Sequence, residues 1–214
     1  TNGGKILCQT SRIMNELYEL SKVELDSFIL LPPIIPDKID KLSLSEAEVE
    51  NQDLSIVYAG KIAPLWGVES LIDICAGRFR LTVIGDKIHK GPVSDSNYKL
   101  RMKQKLESNE LLWIPRLSRE EVLRSISQAS LAWCARDFFF EQETRELSTK
   151  VLECLQAGTP PIISRSRTHE DLLGKDWPFF VDGPEDKSWL ININEKLAYA
   201  NHLMEAVFRK IIQS

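Results

Sequence analysis

The sequence has no C-x-x-C pair, no apolar run long enough to cross a bilayer, no G-x-G-x-x-G after a strand-like segment, and only three histidines. Each absence removes a class. Ser27 to Ile35 is among the longest apolar stretches, and Pro32 and Pro33 interrupt it, so no membrane span is expected. The opening Thr-Asn-Gly-Gly-Lys-Ile lacks the basic stretch and long apolar core of a signal peptide, so the expected location is cytoplasmic. Cys8, Cys75, Cys134 and Cys154 stand singly among apolar neighbours, which fits buried thiols in a reducing compartment rather than a disulfide framework. His89, His169 and His202 are scattered, form no zinc constellation, and are expected in ordinary surface or loop roles. No metal and no cofactor is called for. A formal net charge of -4 over 214 residues argues against a chain held on nucleic acid by its overall charge. The missing glycine fingerprint speaks against a dinucleotide-dependent dehydrogenase.

What is present is an alternation of short apolar strands with single amphipathic helices. Strand patterns fall at Lys5–Gln9, Leu54–Gly60, Arg80–Ile84, Leu111–Ile114, Ser130–Cys134, Pro161–Ser164 and Pro178–Val181. Between them lie a helical segment with Ile13, Met14, Leu17 and Tyr18, then the stripe Val68, Leu71, Ile72, Cys75, and a polar helix over Tyr98–Leu106. Ser118 with Glu121 forms a capping box, and Thr149–Ala157 is a helix stopped by Gly158 and two prolines. Phe28–Pro36 reads as an extended connector because of its prolines, and Lys38–Asp53 as an acidic surface linker or loose helix. Leu203, Met204, Val207, Phe208, Ile211 and Ile212 make two adjacent stripes on a C-terminal helix that must pack on something. The class is therefore α/β, a doubly wound, Rossmann-like parallel sheet, in which ligands bind at the carboxyl ends of the strands.

Three features in those loops could carry chemistry. Gly60-Lys61 ends a strand: the glycine either lets backbone approach a ligand or simply makes a tight turn with a solvated lysine. Ser148-Thr149-Lys150 opens a helix, and its free amides, hydroxyls and lysine suit a diphosphate. The structural alternative has Ser148 capping the helix and Lys150 pairing with Glu153. Glu153 is an acid among Val151, Leu152, Cys154 and Leu155, so it lies at a rim or accepts from a ligand such as a pair of ribose hydroxyls.

Over roughly Leu54–Gly183 the chain resembles the C-terminal, donor-binding half of retaining GT-B glycosyltransferases. The specific piece is Ser148 to Ile163, STKVLECLQAGTPPII, similar to the S-x-K-x-x-E-Y-x-A-x-G-x-P-V-I stretch of that group. IVYAGKIAPLWGVESLIDI and LTVIGD are similar to the strands that precede the donor phosphates. The resemblance implies that Glu153 grips a nucleotide ribose and that Ser148 and Thr149 amides hold the diphosphate near Gly60, Lys61 and Gly85. Arg116 and Leu117 would sit beside the base. Three positions depart from the pattern: Arg145 stands eight before Glu153 where a glutamate is common, Trp66 where many members have a second lysine, and Pro115 where glycine is usual. Glu143 and Glu146 are the acids nearest the first departure. The implied catalytic set is Lys61 and Lys150, which would stabilise the departing diphosphate, with Glu146.

The implied organisation is the end of an acceptor-side domain plus connector at 1–40, a nucleotide-sugar-binding domain at 41–184, and C-terminal helices packing back at 185–214. The partners would be a nucleotide sugar, carrying UDP or GDP, and an N-terminal acceptor domain of the same protein, through which any peripheral membrane contact would be made. No nucleic acid partner and no transmembrane segment is expected. The implied function is donor binding for sugar transfer to a glycan, lipid or other acceptor, by a fragment inactive alone. Two readings compete with it: a non-catalytic nucleotide-binding or assembly module of the same fold, which Arg145 favours, and half of a nucleotide-sugar 2-epimerase.

Overall fold

β-branched and aromatic residues crowd the short segments between turns, and such residues suit a pleated surface packed on both faces. In the computed structural model these segments become strands; it describes residues 4–21, 23–31, 54–91, 95–108, 110–144 and 147–212. Six of them form one parallel sheet: β3 (Ser55–Ala59), β4 (Arg80–Ile84), β5 (Leu112–Ile114), β6 (Leu131–Trp133), β7 (Pro161–Ser164) and β8 (Phe180–Val181). Their spatial order is β5-β4-β3-β6-β7-β8. The chain thus starts at the centre, winds outward twice, and returns across β3 to wind outward the other way. That reversal, between β3 and β6, leaves a crevice at the carboxyl ends of the two strands.

Helices connect the strands. After β3 a turn over Pro64–Trp66 leads into α2 (Val68–Cys75), whose Val68, Leu71, Ile72 and Cys75 are buried as the stripe requires. α3 (Tyr98–Leu106) packs beside it and buries Tyr98, Met102 and Leu106. α4 (Arg119–Ser127) and α6 (Thr149–Ala157) pack on one another, and α4 also lies on β3. The long α8 (Ile193–Ile212) folds back against α6 and α7 (Arg167–Leu173), burying Ala200, Met204 and Val207. The side chains of Phe208, Ile211 and Ile212 lie outside the described residues. Trp133, Trp177 and Trp189 are among the largest fully buried side chains, and the Trp177 indole donates to the Pro161 carbonyl at 3.0 Å. All four cysteines are buried thiols.

Several elements differ from the sequence reading. Phe28–Leu30 is a strand, β2, paired in parallel with β1 (Ile6–Cys8) across α1 (Ser11–Ser21); the remainder of the proposed connector and the acidic 38–53 segment lie outside the described residues. Two short helices were not anticipated. The first, α5 (Phe138–Glu143), contains three phenylalanines that a strand pattern would also accept; it forms because the Asp137 carboxylate accepts from the Phe140 amide at 3.0 Å. The second, α7, starts where the Ser166 hydroxyl accepts from the His169 amide. The C-terminal helix begins at Ile193, well before its apolar stripes, and β8 is shorter than the pattern.

The capping box forms as expected: the Ser118 hydroxyl accepts from the Glu121 amide at 3.3 Å, and the Glu121 carboxylate accepts from the Ser118 amide at 2.8 Å. Ser118→Ala should lower the unfolding free energy by about 1 kcal/mol. Urea denaturation is the check, and it should show a lower midpoint with an unchanged slope.

Candidate functional site

The carboxyl ends of β3, β4 and β5 meet at two glycines. Gly60 adopts φ 140, a backbone region that side chains rarely enter. Its amide donates to the Ile84 carbonyl at 2.9 Å, and the Gly85 amide donates to the Ile114 carbonyl at 3.0 Å. A Cβ on Gly85 would stand 2.4 Å from the Gly60 carbonyl oxygen, and a Cβ on Gly60 would stand 2.6 Å from Lys150 Cε. The space left by Gly60 is thus filled by the stem of Lys150.

Lys150 reaches that place from the first turn of α6. Its ammonium donates to the Tyr58 hydroxyl at 2.9 Å and stands 4.0 Å from the centre of the same ring, while the Tyr58 hydroxyl donates to the Lys61 carbonyl. Among the described residues no carboxylate forms an ion pair with it. Burial pushes Lys150 down to about 8 from an ordinary value of 10.5, while Cys134 nearby acts to raise it and the Arg136 charge to lower it. Burial also raises Tyr58 well above its ordinary 10.0, so this phenol stays protonated.

Two hollows flank these groups. One, of about 400 Å³, is bordered by Gly60, Lys61, Gly85, Arg116, Leu117 and Glu153. The other, of about 200 Å³, is bordered by Trp66, Arg136, Leu147, Ser148, Thr149 and Lys150. Lys61 Nζ stands 4.8 Å from the centre of the Trp66 ring, which places it between the two. The larger hollow therefore gathers six residues picked out from the sequence and the smaller one three. Glu146 lies outside the described residues, as does Arg145. A wider groove of about 840 Å³ lies against the amino ends of β3 and β4 and collects none of them.

The bland readings of the helix start do not hold. Ser148 is the residue before α6, yet its hydroxyl makes no capping bond, so it does not occupy the first-turn amides. The Val151 amide donates to the Ser148 carbonyl at 3.0 Å. Glu153 is not paired with Lys150; its carboxylate lies 3.6 Å from Arg119 Nη2, with 23% of the side chain exposed, at the edge of the larger hollow. Just before α6 the Leu147 amide donates to the Gln9 side-chain oxygen at 3.3 Å, joining the β1 end to the approach of α6.

No family model and no curated protein matches this sequence. Solved structures do. HepE from Anabaena, crystallised with UDP-glucose, aligns with TM-score 0.64 at 10% identity over 98% of this chain and 61% of its own. A glycosyltransferase from Rickettsia africae aligns with TM-score 0.66 at 14% identity over 99% and 59%. The C-terminal domain of LpcC, a group 1 family glycosyl transferase from Francisella tularensis, aligns with TM-score 0.50 at 12% identity over 75% and 84%.

The fold is that of a GT-B half. This chain spans about three-fifths of the first two neighbours, 61% and 59% of their lengths. In a GT-B half of this shape, the hollows at the strand ends lie where the crevice of the reversed sheet opens.

Some site residues escaped the sequence reading. Arg136, Tyr58 and His89 border or build the hollows, but each is a lone polar residue beside a strand end and carries no spacing signal. His169, expected in an ordinary surface or loop role, is fully buried in α7: its Nδ1 lies 3.0 Å from the Ser164 carbonyl, which can only accept, so that nitrogen carries the proton. Burial lowers His169 to about 4, which keeps it neutral near neutral pH.

Gly60→Ala should cost about 1–3 kcal/mol and push Lys150 from its seat, since it combines a disfavoured φ with the Lys150 clash. Urea unfolding measures the loss. A pH effect follows from Lys150 as well. Its folded value of about 8 lies below the ordinary 10.5, so the unfolded chain binds more protons between these pH values and stability rises with pH across that window. Lys150→Met should flatten that rise relative to the unmodified chain; parallel stability curves would show that Lys150 is not buried as a cation.

Proposed function

We propose that this chain is the donor-binding half of a retaining glycosyltransferase, holding a nucleotide-diphosphate sugar in the crevice at the strand ends. The observation that carries this reading is the sheltered Lys150 ammonium, which has no carboxylate partner among the described residues and stands at a helix start whose capping hydroxyl is unused. A cation desolvated without a counter-charge is unfavourable, and an anion with several oxygens would relieve it. Glu153 follows Lys150 by three residues, about 4.5 Å further along the helix axis, and borders the adjoining hollow. That is the arrangement a ribose next to a diphosphate requires: hydroxyls for the carboxylate, phosphates for the ammonium and amides.

In this reading the diphosphate lies across Lys61, Lys150 and the Thr149 amide, and UDP or GDP is the leaving group. Positive side chains and helix-start amides stabilise the negative charge as the sugar departs. Arg116 and Leu117 are assigned to the base, and Glu146, outside the described residues, to the catalytic set. HepE, which shares the fold, has been solved with UDP-glucose, and the same ligand class is assigned here. Residues 1–40 are assigned to the end of an acceptor-side domain and its connector, 41–184 to the donor domain and 185–214 to helices packing back on it. The acceptor, a glycan, lipid or other hydroxyl compound, is held by the rest of that acceptor-side domain.

Calorimetry with UDP, GDP and the matching nucleosides tests the donor site. Glu153→Gln should weaken nucleotide binding by about 1–3 kcal/mol, the range for a lost hydrogen bond to a charged group. Lys61→Ala should weaken the diphosphate far more than the nucleoside; equal losses would remove Lys61 from the phosphates. Transfer needs donor and acceptor aligned, which accounts for roughly 7–11 kcal/mol of barrier lowering. The 214-residue chain should therefore bind nucleotide and show no transfer over a panel of acceptors. Robust transfer by it would overturn the division into halves.

A further inference from the structure

Behind the smaller hollow lies a buried charged cluster that the donor site as described leaves unused. Arg136 follows β6, borders the hollow beside Ser148, Thr149 and Lys150, and exposes 13% of its side chain. Its Nε lies 2.7 Å from the carboxylate of Glu141, which is 1% exposed, and its guanidinium stands 5.6 Å from the centre of the Phe140 ring. Arg136 Nε and Nη2 are both buried and, among the described residues, neither makes a hydrogen bond, so the ion pair leaves donors of the guanidinium unused. The backbone beneath it is anchored from β7: the Arg136 amide donates to Ser164 Oγ at 2.9 Å, and that hydroxyl donates back to the Arg136 carbonyl at 2.5 Å. His169 lies 3.5 Å from the other Glu141 oxygen and is neutral, so it adds no charge. Among the described residues the cluster therefore has one guanidinium against one carboxylate, and Lys150 beside it tips the balance to positive. A guanidinium carries five N–H donors, and one carboxylate does not use them all.

We infer that Arg136 is a second cation of the anion site, binding a pyrophosphate-type group together with Lys150 while Glu141 holds the guanidinium in place. This rests on the donor-binding reading above. Trp66 borders the same hollow and brings an uncharged indole to it, so on that side the cation is Arg136. Glu141 acts as a positioning residue, since it reaches the ligand only through Arg136.

The test is calorimetry of the 214-residue chain with inorganic pyrophosphate, UDP, GDP and the nucleosides at low salt, with thermal unfolding to show that each variant is folded. Arg136→Gln should weaken pyrophosphate about ten- to a hundredfold, the equivalent of one lost charge-assisted hydrogen bond, and leave nucleoside affinity unchanged. Arg136→Lys keeps the charge and the stem but loses the planar fork, and should weaken pyrophosphate by about threefold or more. Wild-type pyrophosphate affinity in either folded variant overturns the assignment, as does an equal loss of nucleoside and pyrophosphate, which would mark Arg136 as structural. The two readings fail separately. A wild-type chain that binds pyrophosphate through Arg136 but neither UDP nor GDP sinks the donor reading and keeps this one; nucleotide binding untouched by Arg136→Gln does the reverse.

Discussion

The Cβ that Gly60 lacks is the constraint on which the site depends. Any larger residue there would occupy the volume of the Lys150 stem, and without that stem α6 could not bring an ammonium onto the end of β3. Tyr58 completes the arrangement from below, linking the ammonium to the Lys61 carbonyl through one hydroxyl. Gly85 repeats the device one strand over, where its missing side chain admits the Gly60 carbonyl. The glycines therefore serve the protein's own close packing first, and that packing is what places the cation at the crevice.

The reversal of strand order turns this local packing into a site. β3 and β6 diverge into connections that leave in opposite directions, so their ends are not roofed by a common crossover. Into that opening come Lys61 from β3, Arg136 from β6 and the start of α6. Two of these groups are fixed from behind, Arg136 by Glu141 and Ser164 and Lys150 by Tyr58, while the exposed Lys61 ammonium lies over the Trp66 ring. Side chains held this way lose little further freedom when a ligand arrives, which favours binding.

Much of the fold was readable from residue patterns. Arg80–Ile84, Tyr98–Leu106, Thr149–Ala157 and Pro161–Ser164 appear with the expected bounds, because their apolar periods and end signals agree: Gly158, for instance, takes the left-handed conformation at φ 68 that stops α6. What could not be read depended on contacts distant in sequence. The Phe138–Phe140 run satisfies helix and strand alike, and only the Asp137 cap decides between them. Phe28–Leu30 is extended as its residues suggest, but only its pairing with β1 makes it a strand rather than a connector. For the site, position was legible for nine residues that border the two hollows, whereas Tyr58 and Arg136 were not, since a buried hydroxyl or guanidinium announces itself only through its partners.

The five tryptophans divide in a way that makes the crevice observable by light. Trp133, Trp177 and Trp189 are sealed in the core away from solvent, although the Trp133 indole N–H donates to the Trp66 carbonyl at 3.3 Å. Trp66 and Trp113 are only partly buried; the first borders the smaller hollow, and the second donates its indole N–H to the Gly85 carbonyl at 2.9 Å, beneath the larger one. Each hollow therefore has its own neighbouring indole, and single Trp→Phe replacements at the two positions would separate their shares of the fluorescence of the native chain.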